Sequence, residues 1–266
     1  MRTKEIKYIN NIFIQMLKQN LTIDDIRIYD IDKKFGESGY NISDLLNMPF
    51  YWAGWKQNPH CGDENYYNVA KNTAFNNPDT ILGRYYTSRT EGEKIPNLNR
   101  LYYTIDKYIN DKNIKNENIY ELINNENILF VHLRSGDFGF VSDKYVNTVY
   151  DLSKKFLKVI LMSGVNRNLH HSDENSEHNL KCRNNLLYSL NKILSTNSNI
   201  FVYFAEPDYH ISTMRLCKNL LVHRGGYSVM GTFINTGKIF FTYELPCINN
   251  DLWKKEMYLK NINFIN

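Results

Sequence analysis

From residue 128 to residue 243, short apolar runs alternate with segments spaced as amphipathic helices, the pattern of βαβ units and a parallel sheet. Ile128 to Leu133 reads as a strand that ends in the polar turn HLRSGDF. Residues 145 to 157 (YVNTVYDLSKKFL) have helical spacing, and KVILMSG is the next strand. A polar loop, NRNLHHSDENSEHN, leads to a helix through RNNLLYSLNKIL. NIFVYFAEPD is a third strand, residues 209 to 219 a helix, and LLVH a fourth strand. HRGGYS turns into a short helix, SVMGTFINTG, and KIFFTY closes as a fifth strand.

The first half is less regular. Its opening, MRTKEIKYINNIFIQMLKQN, has an amphipathic helical pattern, without the apolar region and cleavage site of a secretory signal. The texture changes over the polar, Asn-rich segment 110–127, which marks a boundary between an N-terminal domain, 1–122, and a C-terminal domain, 123–266. No internal repeat is apparent.

In open α/β sheets ligands bind outside the carboxyl ends of the strands, where the polar turns of this chain fall. In the first turn Arg134 offers a planar fork of donors suited to two phosphate oxygens at once. Gly136 lets the backbone fold tightly, and Asp137 can fix Arg134 or His132 by a hydrogen bond. H-x-R-x-x-D in isolation is equally an Arg–Asp pair at a strand end. In the second turn Gly225, Gly226 and Tyr227 precede Ser228, which stands where a helix N-cap would stand. The spacing is not G-x-G-x-x-G and carries no dinucleotide-cofactor reading. In the third, Asp208 either accepts from a base or ribose or caps the following helix.

Composition narrows this only modestly. The 266 residues are 42% hydrophobic and 23% charged, ordinary for a globular chain able to bury a core without staples. A formal net charge of +4 gives no argument for nucleic acid. No window approaches the roughly 18 consecutive apolar residues of a membrane span. Cys61, Cys182, Cys217 and Cys247 lie far apart with no C-x-x-C pair, the usage of a reducing compartment, so the cytoplasm is the expected location. His170, His171, Asp173, Glu174 and His178 are irregularly spaced among Asn and Ser, and read as a solvated loop without a metal. The aromatic stretch with Trp52, Trp55, Tyr66 and Tyr67 reads first as core.

Taken in order, these stretches resemble a known family. LFVHLRSGDF resembles the H-x-R-R-x-D signature of the α1,2-/α1,6-/protein-O-fucosyltransferase superfamily. DYHISTMRLCKNLLVHRGGYSVMGTFINTGKIFF resembles its later region, where a helix leads to an apolar strand and then to a Ser/Phe/Ser turn. WAGWKQNPHCGDENYY resembles the G-Y-W-Q segment that precedes the first signature in α1,2-fucosyltransferases. NIFVYFAEPD stands where that family has a strand ending in Ser-Asp-Asp. The likeness runs from Phe50 to Thr242 with the motif order kept.

The resemblance implies an α/β, GT-B-like architecture: a C-terminal Rossmann-type parallel sheet that binds the nucleotide sugar, beside a smaller, atypical N-terminal domain on the acceptor side. It implies a metal-independent glycosyltransferase without a cofactor, moving fucose from GDP-fucose to a hydroxyl of a glycan or glycoprotein. Arg134 matches the arginine that grips the donor diphosphate, and with Asp137 it makes up the catalytic pair. His132 matches the histidine beside the nucleoside, and Asp208 the acid that reads guanine. Gly225, Gly226, Tyr227 and Ser228 match the phosphate turn; Trp55 and Gln57 fall on the acceptor side. Ser135 replaces the family's second arginine. Two other readings stand beside this one: a non-catalytic nucleotide-sugar- or glycan-binding protein of the same fold, and a transferase using another nucleotide sugar. Neither nucleic acid nor a membrane span is expected, and assembly as a homo-oligomer is compatible with each reading.

Overall fold

A computed structural model describes residues 4–9, 12–17, 21–26, 28–29, 98–116, 118–135, 139–166, 177–205, 207–223, 228, 231–232, 234–242 and 262–265. In chain order the strands are β1 (Lys4–Ile9), β2 (Ile12–Leu17), β3 (Ile28–Tyr29), β4 (Ile128–His132) and β5 (Lys158–Met162), then β6 (Val165–Asn166), β7 (Ile200–Phe204), β8 (Asn219–Val222), β9 (Lys238–Thr242) and β10 (Ile262–Ile265). The helices are α1 (Leu98–Asp111), α2 (Asn118–Ile123), α3 (Asp143–Ser153), α4 (Glu177–Leu194) and α5 (Pro207–Leu216). Ser228, Gly231, Thr232 and Ile234 are also helical, on the short stretch between β8 and β9.

The main sheet has the order β1-β2-β7-β5-β4-β8-β9-β10. From β7 to β10 every neighbouring pair is parallel. Numbered along the chain from β4, these strands are arranged third, second, first, fourth, fifth, sixth, the doubly wound order of Rossmann-like sheets. β3 and β6 form a separate small parallel pair.

Alternation along the strands divides the core between the two faces. Leu129, Val131, Leu161 and Val202 pack with Tyr145, Val149 and Leu152 of α3 and with Leu186, Leu190 and Ile193 of α4. Phe130, Ile160, Tyr203, Leu220 and Val222 pack with Ile105 and Ile109 of α1, Ile123 of α2 and Met214 of α5. Each of these aliphatic side chains contributes roughly 1.5–3 kcal/mol by leaving water. Every residue of β4 is buried, as in a strand covered on both faces. α3 and α4 therefore cover one face and α5 the other. The change of side falls between β4 and β8, where the carboxyl ends of a doubly wound sheet open a crevice.

A polar lock holds the second half in register. The buried Asn235 side chain donates to the carbonyls of Met214 (2.6 Å) and Cys217 (2.9 Å) and accepts from the Gly237 N–H (2.8 Å). A Cβ on Gly237 would lie 2.4 Å from the Lys218 carbonyl oxygen and 2.7 Å from that of Cys217, so only glycine fits that approach. Arg215 makes a two-pronged pair with Asp106, 3.0 Å at each prong, and donates to the Ile234 carbonyl, joining α5 to α1.

The five strands expected from 128 onward are observed to within a few residues at their ends, but α4 begins at Glu177, inside the segment expected to be a polar loop, and neither β6 nor the sixth parallel strand, β10, was expected. The opening segment differs. Instead of an amphipathic helix, residues 4–9 and 12–17 form two antiparallel strands, and β2 pairs antiparallel with β7. The run is rich in Ile, Tyr and Phe, residues that favour pleated surfaces, and the free edge of β7 supplies the ladder that makes the strand conformation win. Ile105, Tyr108, Ile109, Ile114 and Ile119, on the N-terminal side of the expected boundary, share a core with the strands that follow. Among the described residues no helix is long and apolar enough to cross a membrane.

Candidate functional site at the strand switch

The crevice is built from the ends of two neighbouring strands. His132 is the last residue of β4 and lies opposite Val222, the last residue of β8. His223 follows immediately. Two side chains cross from one strand to the extension of the other. His132 Nδ1 lies 2.5 Å from the Ser228 hydroxyl, across 96 residues of sequence. In the reverse direction, the Arg134 N–H donates to His223 Nδ1 at 3.1 Å. His132 (6% exposed), His223 (1%) and Ser228 (0%) are all buried, while Arg134 is half-buried.

A third imidazole completes the group. His210, on α5, accepts from the Ala205 N–H through Nε2 at 3.2 Å, just beyond the end of β7. Burial pushes His210 down to about 4, against a weaker opposing hydrogen bond to the Tyr203 backbone. Burial likewise holds His132 well below the usual histidine range, and the charges of His210, Arg134 and His223 add to the effect. His132 is therefore neutral near pH 7, and the Arg134 guanidinium lies within electrostatic reach of it. A neutral imidazole and a hydroxyl give a donor and an acceptor beside a fixed cation. Such a set suits an anion that also carries hydroxyl groups.

Ser135 faces elsewhere. Its hydroxyl donates to the Gly139 carbonyl (2.8 Å) and lies 2.9 Å from the Ser189 hydroxyl on α4. Ser189 in turn accepts from the Val141 N–H. The position where the resembling family carries a second arginine is thus a buried polar tie between the β4 turn and α4.

No family model, curated protein or solved structure matches this chain. What the chain does has to be argued from the crevice itself.

Of the residues singled out from sequence, His132, Arg134 and Ser228 come together. Asp208 is the second residue of α5, after Pro207 at the first helical position, where the missing N–H costs nothing. Asp137, Gly225, Gly226, Tyr227, Trp55 and Gln57 lie outside the described residues, as do His170, His171, Asp173 and Glu174. Among the described residues no group of three His, Cys, Asp or Glu is arranged to hold a metal ion. Cys182 and Cys217 are buried and in no disulfide, and the Cys182 sulfur lies 3.5 Å from His178 Nε2.

His210 and His223 are additions that sequence reasoning passed over. His223 ends an apolar run as His132 does, and two histidines closing two strands is the signal that was available. That the strands are neighbours, so that the two rings meet one crevice, is visible only in the sheet order.

Proposed function

We propose that the protein is a nucleotide-sugar-dependent glycosyltransferase whose donor diphosphate binds at the β4–β8 crevice, with GDP-fucose as the leading donor. The observation that carries this reading is the meeting of His132 and Ser228 beside Arg134. The resemblance assigns the same three residues to one donor site. The doubly wound sheet is the kind of half from which a GT-B enzyme is built, and the crevice lies where that fold binds nucleotides.

In this reading an acceptor hydroxyl attacks the anomeric carbon as the bond from that carbon to the diphosphate oxygen breaks. Negative charge grows on the departing diphosphate. Arg134 meets that charge, and the Ser228 hydroxyl supports it when His132 accepts nothing from it, so both act where charge develops. No metal is required by these roles. A thermal-shift panel of GDP, GDP-fucose, UDP and ADP tests the reading. A ligand at 100 times its dissociation constant stabilises by about 2.7 kcal/mol. Stabilisation by GDP and GDP-fucose, with GDP released from GDP-fucose on incubation with glycan acceptors, is the expected result. Stabilisation by UDP alone would move the donor to another nucleotide sugar, and indifference to all four would sink the proposal.

A second reading, a non-catalytic binder of nucleotide sugars, is favoured by Ser135. Turned into the core, it adds no charge to the crevice, leaving Arg134 without the second cation of the resembling motif. Binding of GDP-fucose without release of GDP or transfer identifies that case.

A further inference from the structure

The turn after β4 is tied down residue by residue. The Leu133 N–H donates to the Met162 carbonyl (2.9 Å), and the Leu133 carbonyl accepts from the Ser163 hydroxyl (2.9 Å). Ser135 is held by Gly139 and Ser189. Between them stands Arg134, whose main-chain N–H is held by the ring of His223. That ring is itself clamped: it is buried, and its centroid lies 4.0 Å from that of the Tyr145 ring, with 35° between the planes.

We infer that His223 is a positioning residue for the crevice, holding the Arg134 main chain so that its guanidinium is delivered to a bound diphosphate. The inference rests on the donor-site reading above and adds to it a residue that neither the motif nor the resemblance named. Because Nδ1 accepts from Arg134, the ring proton is on Nε2 and the ring is neutral in this arrangement. An imidazolium would present a donor to a donor and break the tie.

An anion site gains most when the root of a long, flexible arginine side chain is already fixed. The tie crosses the switch point from β8 to the extension of β4. The backbone ladder joins the strands as far as His132 and Val222, and beyond it these ties hold the two chain extensions. His132 and Ser228 make the reciprocal tie from β4 to the chain beyond β8. The two strand extensions are thereby held in place by two buried imidazoles, each belonging to the strand opposite the group it holds.

The test compares His223→Asn, whose side-chain oxygen takes the place of Nδ1 as acceptor, with His223→Leu, which keeps bulk and loses the acceptor. Calorimetric titration with inorganic pyrophosphate and with GDP gives the affinity, and hydrogen exchange at the Arg134 amide reports the tie directly. His223→Leu is expected to weaken both ligands at least tenfold and to speed exchange at Arg134, while His223→Asn recovers affinity to within about threefold and restores protection. If His223→Leu does not fold, His223→Gln takes its place, with its amide carried past the Arg134 N–H. Wild-type protein that binds neither probe overturns the donor-site reading and this role with it. Wild-type binding and amide protection that the Leu or Gln variant leaves unchanged overturn this role alone, as does a folded Asn variant that recovers neither.

Discussion

Lowering the pH from 7.5 to 5 should destabilise this protein, and one buried histidine accounts for a definable share of the loss. His210 is enclosed on α5 and held at about 4, whereas the unfolded chain titrates it near 6.5. Between those values the unfolded state binds the extra proton, so stability rises with pH through the window. The contribution is fully present above about 6.5 and is lost as the pH falls toward 4. Integrating that difference gives a loss of about 2 kcal/mol for His210 between pH 7.5 and pH 5. His132, lowered in the same direction by burial first and neighbouring charges second, adds to the loss over the same range. Urea unfolding at the two pH values measures the total, with the slope of the transition showing whether the unfolded ensemble has changed. His210→Gln keeps an acceptor for the Ala205 N–H and cannot titrate. It should reduce the pH sensitivity by about 2 kcal/mol relative to wild type. An equal fall in stability for wild type and His210→Gln would refute the reasoning, since His210 would then be charged or exposed in the folded state.

Three further outcomes are expected. Gly237→Ala forces a methyl group against the Lys218 and Cys217 carbonyls, so its melting temperature should fall by several degrees, a loss of about 1–3 kcal/mol; an unchanged transition would mean that the turn opens without cost. Asn235→Ala strands two buried carbonyls and the Gly237 N–H, and chemical denaturation should show a loss of about 1–3 kcal/mol; an unchanged midpoint would mean that these groups find other partners. Arg134→Ala should keep the fold and lose about 2.7–4 kcal/mol of barrier lowering, which is 10²–10³ in turnover of the identified donor; near-wild-type rates in that variant would remove Arg134 from the chemistry.

Much of the second half was legible because its strands are continuous apolar runs separated by helical spacing, and both periods follow from local geometry. The antiparallel pair of β1 and β2 was not legible for the converse reason. Its Ile, Tyr and Lys positions satisfy a helical stripe about as well as an alternating strand, and only the free edge of β7 decides between them. Ser135 shows the same limit at the site. Beside Arg134 in sequence it looks like part of an anion turn, yet its hydroxyl belongs to Ser189, a residue on α4 whose position depends on how that helix crosses the sheet.

The sequence by itself determined that the chain alternates strands and helices into a parallel α/β sheet and that polar turns gather at the carboxyl ends of the strands. It also singled out Arg134, His132 and Ser228, because strand ends and glycine turns are written in contiguous residues. Tertiary structure alone decided that β8 lies beside β4. That neighbourhood turns two distant histidines into a crossed pair of ties, brings Ser228 to His132, and leaves Ser135 in the core. Strand order is set by which faces can be buried against which helices, a balance over the whole chain that no local pattern records.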